Sequence, residues 1–188
     1  MVLAAGLAGT AASARAAEEG PPIRFHSEVV RLIVAGDSIE VRGLYRFVNR
    51  AGREMPLALF YPYPADSLLG AARMVSLSSV PEIAPASFTE SATPPGAHWR
   101  LRAPAGDTLL VRSVYRQGRA ARYARYIVTT TSAWTDPLVH ARFEIVLPDS
   151  VRSPRFSFPF ERRPGPGGAT YVFEARSFRP EKDIEAWW

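Results

Sequence analysis

The stretch VHARFEIVL, residues 139–147, alternates apolar and polar side chains. Val139, Ala141, Phe143, Ile145 and Leu147 fall on one face of an extended chain, and His140, Arg142 and Glu144 on the other. Successive side chains of a strand point to opposite faces, so a period of two predicts a strand with one buried face.

The same period recurs outward along the chain. SIEVRGLYRFVN (38–49) sets Ile39, Val41, Tyr45 and Phe47 against Glu40, Arg42 and Arg46. It follows SEVVRLIV (27–34) across the short AGDS turn, which predicts a hairpin. TLLVRSVYR (108–116) and ARYARYIVTTT (121–131) flank QGRA and predict a second hairpin. HWRLR (98–102) and TYVFEARSF (170–178) read as strands, and RFSFPFE (155–161) as one edge strand, because Pro159 lacks a ladder donor. Residues 76–97 are the least periodic and read as a long loop, or an edge strand plus a loop. Seventeen prolines oppose helices. The expected fold class is all-β, an antiparallel β-sandwich of about ten short strands, immunoglobulin-like or jelly-roll-like. A barrel is the alternative.

The N-terminus differs in character. An Ala-rich apolar run from Val2 to Ala12 precedes Ala14-Arg15-Ala16, the small-x-small pattern of a signal-peptide cleavage site. Residues 1–16 are therefore expected to be a signal peptide and 17–188 a single β-sandwich domain, placed outside the cytoplasm, periplasmic or secreted. No other apolar run approaches the ~20 residues that span a bilayer, so no transmembrane segment is expected in the mature chain. The chain has no cysteine, which excludes thiol catalysis and cysteine-ligated zinc. Net charge is +5, and Lys182 is the only lysine among 23 basic residues. Such arginine usage fits the codon bias of a GC-rich bacterium. The mild basicity favours anionic partners weakly.

YIVTTTSAWTDPL, residues 126–138, joins two predicted strands. Asp136-Pro137 is a turn initiator, and Trp134 is expected to fold back over the open end of the sandwich as a structural corner. The order Gly43-Leu44-Tyr45-Arg46-Phe47-Val48-Asn49, then FYPYPAD, then YIVTTTSAWTDPL, then Phe178 to Ile184 resembles bacterial secreted proteins classed as domains of unknown function. They share a Y-x-F-x-N strand, a Pro-rich segment, a TT…W…P-[LI] corner and a closing F-x-P-x-x-D-[LI]. The resemblance implies an all-β envelope protein and no catalytic residues. This chain departs from it in the Arg-rich segment at 116–125.

That segment is the candidate binding surface. Arg116, Arg119, Arg122 and Arg125 interleave with Tyr115, Tyr123 and Tyr126, and arginine with aromatics suits anions or sugars. Its plainer reading is a solvated hairpin tip. An exported address argues against nucleic acid, leaving an envelope protein or an anionic polymer as the expected partner. His26, His98 and His140 show no metal-ligand spacing, and no nucleophile-elbow motif occurs, so neither metal nor cofactor is expected. The expected function is a binding or scaffolding module. The alternative is an exported glycoside-type hydrolase using the turn carboxylates Asp66, Asp107, Asp136 and Asp149.

Overall fold

The computed structural model describes residues 21–165 and 168–188. The predicted signal peptide lies outside the described residues. Among the described residues thirteen strands follow one another: β1 (Ile23–Ala35), β2 (Ser38–Asn49), β3 (Met55–Pro62), β4 (Leu69–Val80), β5 (Ser87–Ala92), β6 (Pro95–Ala103), β7 (Thr108–Arg119), β8 (Tyr123–Tyr126), β9 (Leu138–Leu147), β10 (Arg155–Phe156), β11 (Glu161–Gly165), β12 (Gly168–Phe178) and β13 (Ile184–Trp187). A 3-10 helix, Thr129–Ala133, stands between β8 and β9.

The strands form a seven-stranded sheet in the order β11-β12-β9-β1-β2-β7-β4, and two three-stranded sheets, β3-β6-β5 and β10-β13-β8. Both small sheets cover the same face of the large one. Trp99 of β6 meets Tyr45 of β2 at a 5.5 Å ring separation, and Tyr126 of β8 meets Phe143 of β9 at 6.1 Å. The alternation explains which face is covered. Ile39, Val41, Tyr45 and Phe47 are buried, while Arg42, Leu44 and Arg46 between them are exposed.

The β1–β2 hairpin forms around Gly36, whose φ of +58° suits a residue without Cβ. Its pairing slips between Phe25 and Ser27, so His26 is an extra residue in β1. Such a bulge moves the side chains beyond it to the opposite faces. Ile23 and Phe25 point to the core on one side of it, and Glu28, Val30, Leu32 and Val34 on the other.

The large sheet is mixed. β1 pairs with β9 in parallel, from Ser27–His140 to Ile33–Val146, which corrects the expectation of purely antiparallel pairing. The second predicted hairpin is also corrected: β8 leaves β7 and pairs with β13 in another sheet. Its predicted continuation through Thr129–Thr131 is the 3-10 turn. Residues 155–161 split, because Phe156 pairs with Ala186 while Glu161 starts the edge strand β11. Within 76–97 lie the end of β4, all of β5 and the start of β6. Val139 is exposed despite its parity, and Leu138 is buried instead.

Candidate functional site

Between the large sheet and β3–β6 lies a cleft with a cavity volume of about 90 Å³, opening to about 540 Å³ of space. Its deep end is Glu28. The bulge register places this carboxyl opposite Tyr45 of β2, on the apolar side of β1. Glu28 is 1% exposed. Tyr126 donates its hydroxyl to Glu28 Oε2 at 3.0 Å, while Oε1 has no hydrogen-bond partner among the described residues.

A run of hydroxyls leads away from the acid. Tyr126 Oη is 3.5 Å from Tyr45 Oη, which is 2.9 Å from Tyr61 Oη. Gly43 makes this arrangement possible, since a Cβ there would stand 2.0 Å from Tyr45 Oη. Tyr61 stacks on Trp99 at 4.5 Å, and Tyr45 meets Trp99 edge-on. Phe60, Thr130, Thr131 and Trp134 also line the cleft.

Burial sets the protonation of these groups. It pushes the Glu28 carboxyl up to about 8, with the Tyr126 hydrogen bond pulling the other way. A charged carboxylate without a counter-ion is costly away from water, so the acid is neutral near pH 7. Burial also pushes Tyr45 up to about 12 and holds Tyr61 and Tyr126 well above the usual tyrosine value. The hydroxyls therefore remain donors.

Of the corner residues, Trp134 borders this cleft. Trp134 is half-buried and packs on Phe25 at 5.7 Å and Phe47 at 5.8 Å. Asp136 pairs with Arg24 at 3.3 Å, and Pro137 precedes β9. The turn is fixed from the C-terminus: Asp183 Oδ1 accepts from the amides of Val128 and Thr129, both at 3.1 Å, and from the Thr129 hydroxyl at 2.8 Å.

The Arg-rich segment is divided among three places. Arg116 lies on the outer face of β7 and pairs with Glu40 at 2.8 Å. Arg125 is paired at 2.7 Å with the buried Asp183. Although burial alone would raise it, the Asp183 carboxyl is held below its ordinary value by Arg125 and Thr129. Tyr123 is buried and donates to Glu185. Arg119 and Arg122 line a separate groove with Arg152 and Trp188, and the Arg119 guanidinium lies 5.3 Å from the Trp188 ring centroid. Arg119 also donates to the carbonyls of Gly36 and Ala121.

Three of the four turn carboxylates have local partners, Asp136 being the one paired with Arg24. Asp66 accepts from the Leu68 amide, Asp107 from the Thr108 amide, and Asp149 is exposed. Among the described residues, no group of three or more His, Asp or Glu side chains is arranged to hold a metal, and no helix is long and apolar enough to cross a membrane.

Sequence reasoning missed the cleft. The signal was present in Glu28, which shares parity with Val30, Leu32 and Val34, but Val29 and Ile33 on the other face blurred the alternation.

No family model matches the chain, and no curated protein matches it. Solved structures do resemble it. A proposed nutrient binding protein from Legionella pneumophila has a TM-score of 0.63 at 15% identity, over 89% of this chain and 68% of that one. An M1 zinc metallopeptidase from Deinococcus radiodurans has a TM-score of 0.54 at 12% identity, over 88% of this chain and 42% of that one. Yeast LTA4 hydrolase has a TM-score of 0.51 at 11% identity, over 88% and 28%. The chain spans less than half the length of either of the last two, and at these identities the likeness is one of fold alone.

Proposed function

We propose that this chain is a binding module of the bacterial cell envelope, exported by its N-terminal apolar segment, and that its ligand site is the Glu28 cleft. The observation that carries this reading is a fully buried carboxyl with one oxygen unpartnered at the end of an aromatic-lined opening. Ligand sites are typically apolar concavities with a few convergent polar groups. The layered arrangement, with two small sheets over one face of a large one, supports a sandwich-type fold in which the cleft sits between layers. The Legionella neighbour described as nutrient binding agrees with a binding role. Hydrolysis by the turn carboxylates has less support, because Asp66, Asp107 and Asp136 are each engaged by a local amide or arginine.

The test is a ¹H–¹⁵N NMR titration with the neutral fragments n-butanol and phenol. Shifts at the Trp99 and Trp134 indole N–H groups are expected, with none at Trp188. Shifts at Trp188 alone, or none at millimolar fragment, would overturn the reading.

A second reading concerns the groove of Arg119, Arg122, Arg152 and Trp188. Its arginines and indole suit an anionic envelope polymer, and the Arg119–Trp188 stack favours it.

A further inference from the structure

The chemistry of the cleft decides the sign of its ligand. Among the described residues, its lining contains aromatic and aliphatic side chains, two threonines, one proline and one carboxyl, with no Arg, Lys or His. An anion entering it meets no positive charge. A cation meets ring faces that carry negative electrostatic potential, and one acid that can ionise.

The hydroxyl run strengthens this asymmetry. Tyr126 donates into Glu28 Oε2, with Tyr45 and Tyr61 behind it. Donors aimed at a carboxyl favour its charged form. The acid proton then belongs on Oε1, the oxygen with no partner among the described residues. The groups that meet Glu28 from neighbouring elements are Tyr126 of β8, which donates to it, Tyr45 of β2, its cross-strand partner, and Ala141 of β9, its partner on the other side, while Tyr61 of β3 is reached through Tyr45. None of them is a charge.

We propose that the cleft binds a small organic cation, a short alkylammonium or methylated ammonium group, with Glu28 as its counter-ion and the aromatic side chains that line the cleft around it. This rests on the reading of the cleft as a ligand site. The cavity of about 90 Å³ suits such a head group, with any larger part of the ligand lying toward Phe60 and Trp134. The proton balance is explicit. An ammonium cation meets neutral Glu28, the Oε1 proton leaves to solvent, and the bound pair is ammonium and carboxylate.

The experiment titrates the protein with n-butylammonium, n-butanol and butyrate at pH 6.5 and pH 9, reading the Trp99 and Trp134 indole N–H signals. The ammonium is expected to bind about tenfold tighter than the alcohol at pH 9, with butyrate weakest. Because binding releases a proton below the Glu28 midpoint, ammonium affinity should rise roughly tenfold per pH unit toward that midpoint, and alcohol affinity should not. Glu28→Gln should abolish both the preference and the pH slope. Equal binding of ammonium and alcohol without a slope, or a preference for butyrate, would overturn the cation proposal and leave the cleft reading intact. Absence of any shift at Trp99 would overturn both. If Glu28→Gln fails to fold, the wild-type pH slope still decides.

Discussion

Asp183 Oδ1 accepts both the hydroxyl of Thr129, at 2.8 Å, and its amide, at 3.1 Å. The segment before the C-terminal strand thus fastens the turn that borders the cleft. This gives a physical reason for a Thr-rich corner and a closing F-x-P-x-x-D-I to occur in one chain: the aspartate of the second supplies the acceptor for the amides of the first.

Asp183→Ala should therefore cost about 3 kcal/mol, because it removes the shortest of the Arg125 ion pairs, leaving the longer ones to Asp66 and Glu185, and strips the Val128 and Thr129 amides of their acceptor. Chemical denaturation measures it. The same contact makes stability acid-sensitive. The folded Asp183 carboxyl lies below its ordinary value, so its contribution is present above the unfolded value of 3.8 and is lost as pH falls through the folded one.

Glu28 acts in the opposite sense. Its folded value is raised from 4.5 to about 8. Its contribution is full below pH 4.5 and lost as pH rises through about 8. The melting temperature of wild type relative to Glu28→Gln should decline across that window and level off above it. A constant difference from pH 4 to 9 would show that Glu28 is not a buried neutral acid.

Much of the fold was legible because burial on one face writes a period of two into the chain. The β1–β2 hairpin and β9 followed from that period. Partner choice did not. β8 follows β7 after only the three residues Ala120, Ala121 and Arg122, a spacing that suits a hairpin, yet it pairs with β13, far along the chain, through Tyr126–Ile184 and its neighbours. Nothing local to YARY encodes that pairing. The parallel β1–β9 contact was hidden for the same reason. At the candidate site, Trp134 stood out as a bulky turn residue, whereas Glu28 was masked by flanking valines and by the His26 bulge.

Trp134→Ala should cost about 2–3 kcal/mol, below the range for a fully buried tryptophan because this ring is half-exposed. It should also widen the cleft over Phe25 and Phe47. Thermal denaturation checks the first effect, and altered shifts at Trp99 the second. A variant that melts like wild type would remove Trp134 from the packing that closes this end.

Replacing Arg119, Arg122 and Arg152 with Ser should lower retention on an anionic matrix at low salt, with the difference vanishing by about 1 M salt, where screening extends only about 3 Å. Replacing Arg125 instead should lower stability, since that side chain is committed to Asp183. Unchanged retention in the triple variant would eliminate the groove as an anionic-polymer surface.

The most direct test of the cleft is the ¹³C NMR titration of the Glu28 carboxyl, alone and with saturating tetramethylammonium. The account predicts a midpoint near 8 for the free protein, where burial raises it against the pull of the Tyr126 hydrogen bond, and a marked fall when the cation occupies the cleft. A midpoint in the ordinary carboxylate range, or one that tetramethylammonium leaves unmoved, would contradict it.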